Sequence, residues 1–235
     1  MKIEIWSDFV CPFCYIGKRR LEQALHEFEH RDQVTIHFLS YELDPDSEAK
    51  PNQNIHEYLA TRKGVSVEQA KRLNENVGLE AKKVGLLFNF ETMQHTNTFD
   101  AHRVAKYADT QKLGKEITEK FLHAYFTDSE LISDHKTLKK LSLEVGLNEE
   151  DVEELLGTNR YANRVRDDQE LARQIGIQGV PFFVFNEKYA VSGAQPKEVF
   201  MEVLTKVWDE ESKNSNHKSL TKTSYCTGEG CEVEE

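Results

Sequence analysis

Cys11 and Cys14 enclose Pro12 and Phe13, and this C-x-x-C spacing is the feature of the chain most able to do chemistry. It falls where an apolar strand pattern (Ile3, Ile5, Trp6) gives way to a helical one (Leu21, Ala24, Leu25, Phe28). A thiol at a helix N-terminus faces unpaired N–H groups and the positive end of the helix dipole, so its thiolate is favoured near neutral pH. The second thiol lies one helical turn on, close enough to close a small disulfide ring. Pro12 suits the first turn, where its missing N–H costs nothing and its fixed φ is already helical. The plain alternative is a pair of small core residues, as free cysteine often is. Spacing and position favour a reversible dithiol.

The elements that must position it read as a β-α-β opening: a strand over residues 2–8, an amphipathic helix over 12–29 and a second strand over Val34–Leu43. After Asp44-Pro45-Asp46 a polar stretch runs through Asn54, and the apolar residues then recur at helical spacing. Ser66-x-x-Gln69 has capping-box form ahead of a stripe at Ala70, Leu73, Val77, Ala81 and Val84. Further helices are expected over about 98–109, after Gly114, after Asp134, after Asn148 and from Tyr161 to Ile175. Strand character returns after Gly179-Val180-Pro181: Phe182–Phe185, a turn at Asn186-Glu187-Lys188 and Tyr189–Ser192 form a hairpin. Pro196 then opens a helix carrying Val199, Phe200, Val203, Leu204 and Val207. Without the helical segment the order is β-α-β then β-β-α. The fold class is therefore α/β, thioredoxin-like, with a large all-helical insertion. Residues 1–50 and 176–208 would form the thioredoxin-like domain, 51–175 the insertion, and 209–235, poor in apolar residues, a flexible tail.

Composition bounds the rest. The 235 residues are 38% hydrophobic and carry a net charge of −11, a balance that argues against nucleic acid as a partner. Glu4, Asp8 and Lys18 interrupt every early apolar run, so neither a signal peptide nor a membrane span is expected, and the reading is cytoplasmic. The four cysteines come as two close pairs, Cys11/Cys14 and Cys226/Cys231, which is not the distributed framework of a disulfide-stapled secreted domain.

The sequence resembles the DsbA-like thioredoxin superfamily, and within it the FrnE-like dithiol-disulfide oxidoreductases and isomerases. The resemblance spans about residues 2–208 and rests on the segments Asp8–Gly17, Asn97-Thr98 with Ala101-His102-Arg103, Gly179–Phe185 and Val191–Gln195. It implies Cys11 as the exposed nucleophile, Cys14 as the resolving thiol, and Val180-Pro181 as a cis peptide lying against the dithiol. Pro12, Phe13 and Val180 would flank a substrate chain. Phe13 departs from the pattern: the branch often has Trp there and the periplasmic oxidants have His. Without a cation at that position a strongly oxidising potential is not carried over.

Asn97, His102 and Arg103 are on a helix of the insertion, where such residues are usually surface or structural; on the resemblance they are candidate supporting residues, His102 as a proton carrier. Cys226 and Cys231 admit three readings: a tethered shuttle for the first pair, half of a metal site completed by His217 and carboxylates, or a tail without function. The shuttle leads, so no metal is expected. No cofactor is expected either, although glutathione is admissible as a co-substrate; partners would be protein or low-molecular-weight thiols and disulfides. The leading function is a thiol-disulfide oxidoreductase or isomerase. The alternatives are a glutathione-dependent transferase or isomerase of the kappa type, which usually has Ser or a single activating residue in place of Cys11, and a redox-regulated chaperone or binding module.

Overall fold

The computed structural model describes residues 1–49 and 53–223. Strand β1 (Lys2–Ser7) pairs in parallel with β2 (Thr35–Ser40) and antiparallel with β3 (Phe182–Phe185), which continues by hairpin into β4 (Tyr189–Ser192). The sheet order is β2-β1-β3-β4. The period-2 alternation of these strands sorts their apolar residues onto two faces. Ile3, Ile5, Phe183 and Phe185 pack on one face against α1 (Pro12–Glu27) and the last helix, whereas Trp6, Phe182 and Val184 point to the other.

Between β2 and β3 lie α2 (Ile55–Lys63), α3 (Val67–Lys83), α4 (Phe99–Thr110), α5 (Gly114–Phe126), α6 (His135–Glu144), α7 (Glu149–Gly157) and α8 (Ala162–Gln174). This is the expected thioredoxin-like α/β fold with its helical insertion. α8 returns to the sheet: Asp168 accepts from Ser40 N at 2.7 Å and its carbonyl accepts from Trp6 Nε1 at 3.0 Å.

α2 was not anticipated as a separate helix. Its N-terminus carries a complete capping box, Asn54 with Glu57, and Gly64 closes it with a left-handed φ of 65°. The stripe expected on α3 is only partly inward: Ala70 and Ala81 are buried, but Leu73 is exposed and Asn74 is buried in its place, bonded to His56 Nδ1 at 3.0 Å.

The helix that opens near Pro196 does not stop at Trp208. α9 runs over Lys197–Thr223, well past Trp208. No Gly or Pro interrupts this run, and Glu210 and Glu211 in its middle are tied to the β3–β4 hairpin. Lys188 Nζ and Tyr189 Oη both donate to Glu210, and Asn186 Nδ2 donates to Glu211 at 2.7 Å. Cys226 and Cys231 lie outside the described residues, as do the three readings of that pair.

Candidate active site

Cys11 is the N-cap of α1, with extended backbone (φ −91°, ψ 109°), and Pro12 begins the helix. The loop is closed by Cys11 N–H donating to Asp8 O at 3.2 Å and Cys14 N–H to Cys11 O at 3.0 Å. Both cysteines are free thiols. The resemblance implies an exposed nucleophile; instead Cys11 is only 4% exposed, while Phe13 beside it is 45% exposed. The sulfur is recessed because the loop carrying Val180 closes over it: Cys11 Sγ donates to Val180 O at 3.6 Å. The Val180-Pro181 peptide is cis, as the resemblance implies.

Cys14 lies deeper, and its sulfur accepts from Asp8 N at 3.5 Å. Burial pushes the Cys14 thiol well above its ordinary pKa, and proximity to Cys11 adds to the shift; contacts from Ser7 and Asp8 N oppose it. The two sulfurs therefore sit in different settings, one at a helix N-terminus beside a carbonyl, the other in the core.

α1 is fixed against its neighbours on both sides. Gly17 lets it approach β3 and Pro181: a Cβ there would lie 3.1 Å from Phe183 Cζ and 3.1 Å from Pro181 Cγ. On the insertion side Glu119 accepts from Tyr15 Oη at 2.6 Å, from Arg19 Nη2 at 2.7 Å and from the buried Lys18 ammonium. Burial alone would raise the Glu119 pKa, but Lys18, Tyr15 and Arg19 together hold it down at about 2.

Of the helical candidates, only His102 is brought near the dithiol. Asp8, 1% exposed, accepts from His102 Nε2 at 3.3 Å and from Leu43 N at 2.7 Å, and Phe9 packs on the imidazole with ring centroids 4.8 Å apart. Neither Asn97 nor Arg103 touches the thiols. Asn97 Nδ2 donates to Pro45 O and Ser47 O, each at 3.3 Å, and so ties that loop to the start of α4. Arg103 donates to Arg160 O at 2.9 Å and to the carbonyls of Leu155 and Thr158, serving the end of α7.

Two concavities flank the loop. One, of about 300 Å³, is lined by Phe13, Val180, Pro181, Gly193 and Ala194, with Arg20 and Glu80 paired at 3.1 Å on its wall. The other, of about 210 Å³, has Val10 and Pro12 in its wall and reaches under α2 to His95. Sequence reading missed Asp8, His95 and Tyr58 as contributors to this region.

Residues 2–205 match the family model of the DSBA-like thioredoxin domain. The chain belongs to that family. This DsbA-like chain is 40% identical to a probable DsbA oxidoreductase from Streptomyces coelicolor, with a TM-score of 0.85, 89% of this chain and 91% of that one being covered. It is 27% identical to the Bacillus subtilis (strain 168) protein YwbO over 216 residues, which covers 90% of this chain and 98% of YwbO. A 2-hydroxychromene-2-carboxylate isomerase shares the DsbA-like fold at 15% identity and a TM-score of 0.67, with 91% and 98% of the two chains covered. Among the described residues no helix is long and apolar enough to cross a membrane, and no group of three or more His, Cys, Asp or Glu side chains could hold a metal ion.

Proposed function

We propose that the protein is a thiol-disulfide oxidoreductase of the FrnE-like branch, acting by dithiol-disulfide exchange at Cys11 and Cys14. The observation that carries this is the pair of free thiols in unequal settings, Cys11 Sγ at the helix cap beside Val180 O and Cys14 Sγ buried behind it on Asp8 N. The Cys11 thiolate attacks one sulfur of a substrate disulfide. That S–S bond breaks, a Cys11–substrate disulfide forms, and the departing thiolate takes a proton. Cys14 loses its proton and attacks the Cys11 sulfur, releasing the second substrate thiol and leaving Cys11–Cys14 oxidised by two electrons. A reducing thiol such as glutathione restores the dithiol. Oxidation of a substrate dithiol is the same path in reverse, and isomerisation uses its first half.

The groove along Val180, Pro181 and Gly193 receives the extended substrate backbone, since proline offers no N–H to compete near the sulfurs. His102 holds the Asp8 carboxylate at 3.3 Å while Asp8 N–H donates to Cys14 Sγ at 3.5 Å, so His102 acts as a positioning residue for the Cys14 surroundings; a His102→Gln protein then has an altered pH profile for the resolving step, and an unaltered profile removes the role. Cys226 and Cys231 act as a tethered shuttle to the first pair. A reducing, cytoplasmic setting completes the reading.

The test is the redox equilibrium of Cys11/Cys14 against glutathione together with insulin reduction. A reversible two-electron couple, with reduction lost in Cys11→Ser and slowed in a chain ending before Cys226, supports both proposals. If neither thiol exchanges and glutathione is instead retained in a stable complex, the glutathione-dependent isomerase reading replaces this one; the shared fold with the chromene-carboxylate isomerase is what keeps it in view.

A further inference from the structure

Arg20 does not enter the exchange steps above, yet it stands on the wall of the groove at Pro181. It shares a stripe of α1 with Phe13 and Gly17, each one turn from the next, so the face of the redox helix that meets the groove ends in a guanidinium. The guanidinium is forked between two other elements. Nη1 donates to Ala194 O, in the turn after β4, and Nη2 donates to Glu80 Oε2, on α3 of the insertion, at 3.1 Å. Glu80 is itself steadied from the next turn of α3 by Lys83, whose ammonium donates to Oε1 at 2.6 Å.

The carbonyl that Arg20 holds belongs to the groove as well. Gly193 turns the chain with a left-handed φ of 79°, and its N–H donates to Pro181 O at 2.8 Å. A shift of Ala194 is therefore passed to Pro181, and from there to Val180, whose carbonyl accepts from Cys11 Sγ. The redox helix, the groove loop and the insertion thus meet at one side chain. Arginine supplies the fixed planar fork for such a clasp, whereas a lysine ammonium is a point charge on a flexible stem and fixes no direction between two acceptors. Resting on the oxidoreductase reading, we infer that Arg20 is a positioning residue for the exchange reaction: its fork sets the spacing between α1 and the Gly193-Ala194 wall so that an extended substrate backbone seats against Pro181, and Glu80 makes the insertion part of that seat. The role is one of binding geometry. It falls on KM for a polypeptide, and far less on a small disulfide that needs no groove.

The experiment uses the full chain with two substrates, the symmetric disulfide of a short alanine-flanked cysteine peptide and hydroxyethyl disulfide, and reads the ratio of their kcat/KM values within each protein. Arg20→Gln lowers the peptide-to-hydroxyethyl ratio about tenfold, through KM, the size of one hydrogen bond to a charged group. Loss of part of the folded material, or a change in the Cys11 thiol itself, lowers both rates alike and leaves the ratio where it was. Arg20→Lys keeps the charge without the fork and stays well short of the wild-type ratio; full recovery would assign the effect to charge and overturn the clasp. Glu80→Ala lowers the ratio about threefold, and adds nothing further in the Arg20→Gln background because both changes break the same contact. Additive losses would overturn the part given to the insertion. Should Arg20→Gln fail to fold, Glu80→Ala, at a partly exposed side chain, decides alone, and an unmoved ratio there overturns the proposal. If the wild type exchanges neither disulfide, the oxidoreductase reading fails and the positioning role with it, whereas exchange of both with a ratio that Arg20→Gln does not move removes the positioning role alone.

Discussion

The division of labour between the two thiols is decided by a few ångströms of depth. Cys14 is held as a neutral thiol by burial, so at neutral pH only a small fraction of it is thiolate, and that fraction grows about tenfold per pH unit until the raised pKa is reached. Resolution of a Cys11–substrate disulfide, followed by stopped flow from pH 6 to 8, is expected to accelerate about tenfold per unit. A pH-independent rate would mean that Cys14 is not the attacking group. Cys14→Ser should trap the mixed disulfide at Cys11, visible as a mass adduct, whereas Cys11→Ser should form none. The thiols and Pro181 were legible from spacing and order, because the chemistry lies in residues three apart or in a local X-Pro step. Asp8 was not, because its partner His102 is 94 positions away and nothing local marks an aspartate as destined for burial. His95 and Tyr58 escaped for the same reason: their stacking exists only once α2 folds back.

At the level of elements, helix α1 is held by a close approach on one side and an ionic knot on the other. Gly17→Ala would gain about 1 kcal/mol of helix propensity but incur an overpacking cost of about 1–3 kcal/mol against Phe183 and Pro181, each 3.1 Å from the new Cβ. The expected net effect is a loss of up to about 2 kcal/mol, a fall of a few degrees in Tm, and slower exchange because Pro181 is displaced. An unchanged Tm with unchanged exchange would show that the approach has slack. Glu119 sets an acid limit. Its folded pKa of about 2 lies below the ordinary carboxylate value, so its contribution is full above that ordinary value and is lost as pH falls toward 2. Glu119→Gln should therefore flatten the stability profile, measured by circular dichroism with denaturant, between about pH 5 and pH 2, with the wild type losing more over that window. α2 shows why some elements were illegible. Its capping box at Asn54 and Glu57 was there to be read, but only His56 and Ala60 are buried along it, so no apolar stripe announced a helix. At α9 polar composition suggested a tail from residue 209, whereas the helix continues to Thr223, and an ion pair from Lys188 and a hydrogen bond from Tyr189 hold Glu210.

Over the whole molecule the charge of −11 acts on any approaching substrate. Basic peptide disulfides should react faster than acidic ones at low ionic strength, by roughly tenfold, and the two rates should converge as salt screens the field. Rates that do not respond to salt would locate the selection entirely in short-range contacts. The helix bearing the dithiol also belongs to two cores at once. Tyr15 and Ile16, with Phe9 and Val10 just before it, pack among the helices of the insertion, while Leu21 and Ala24 pack on the sheet. The insertion is thus no detachable module. A shortened gene that rejoined β2 directly to β3 would strand four apolar side chains in water around the reactive sulfurs. The helices and the redox loop are therefore coupled parts, and a shortened chain that keeps Phe9, Val10, Tyr15 and Ile16 is expected to aggregate rather than to yield a smaller enzyme.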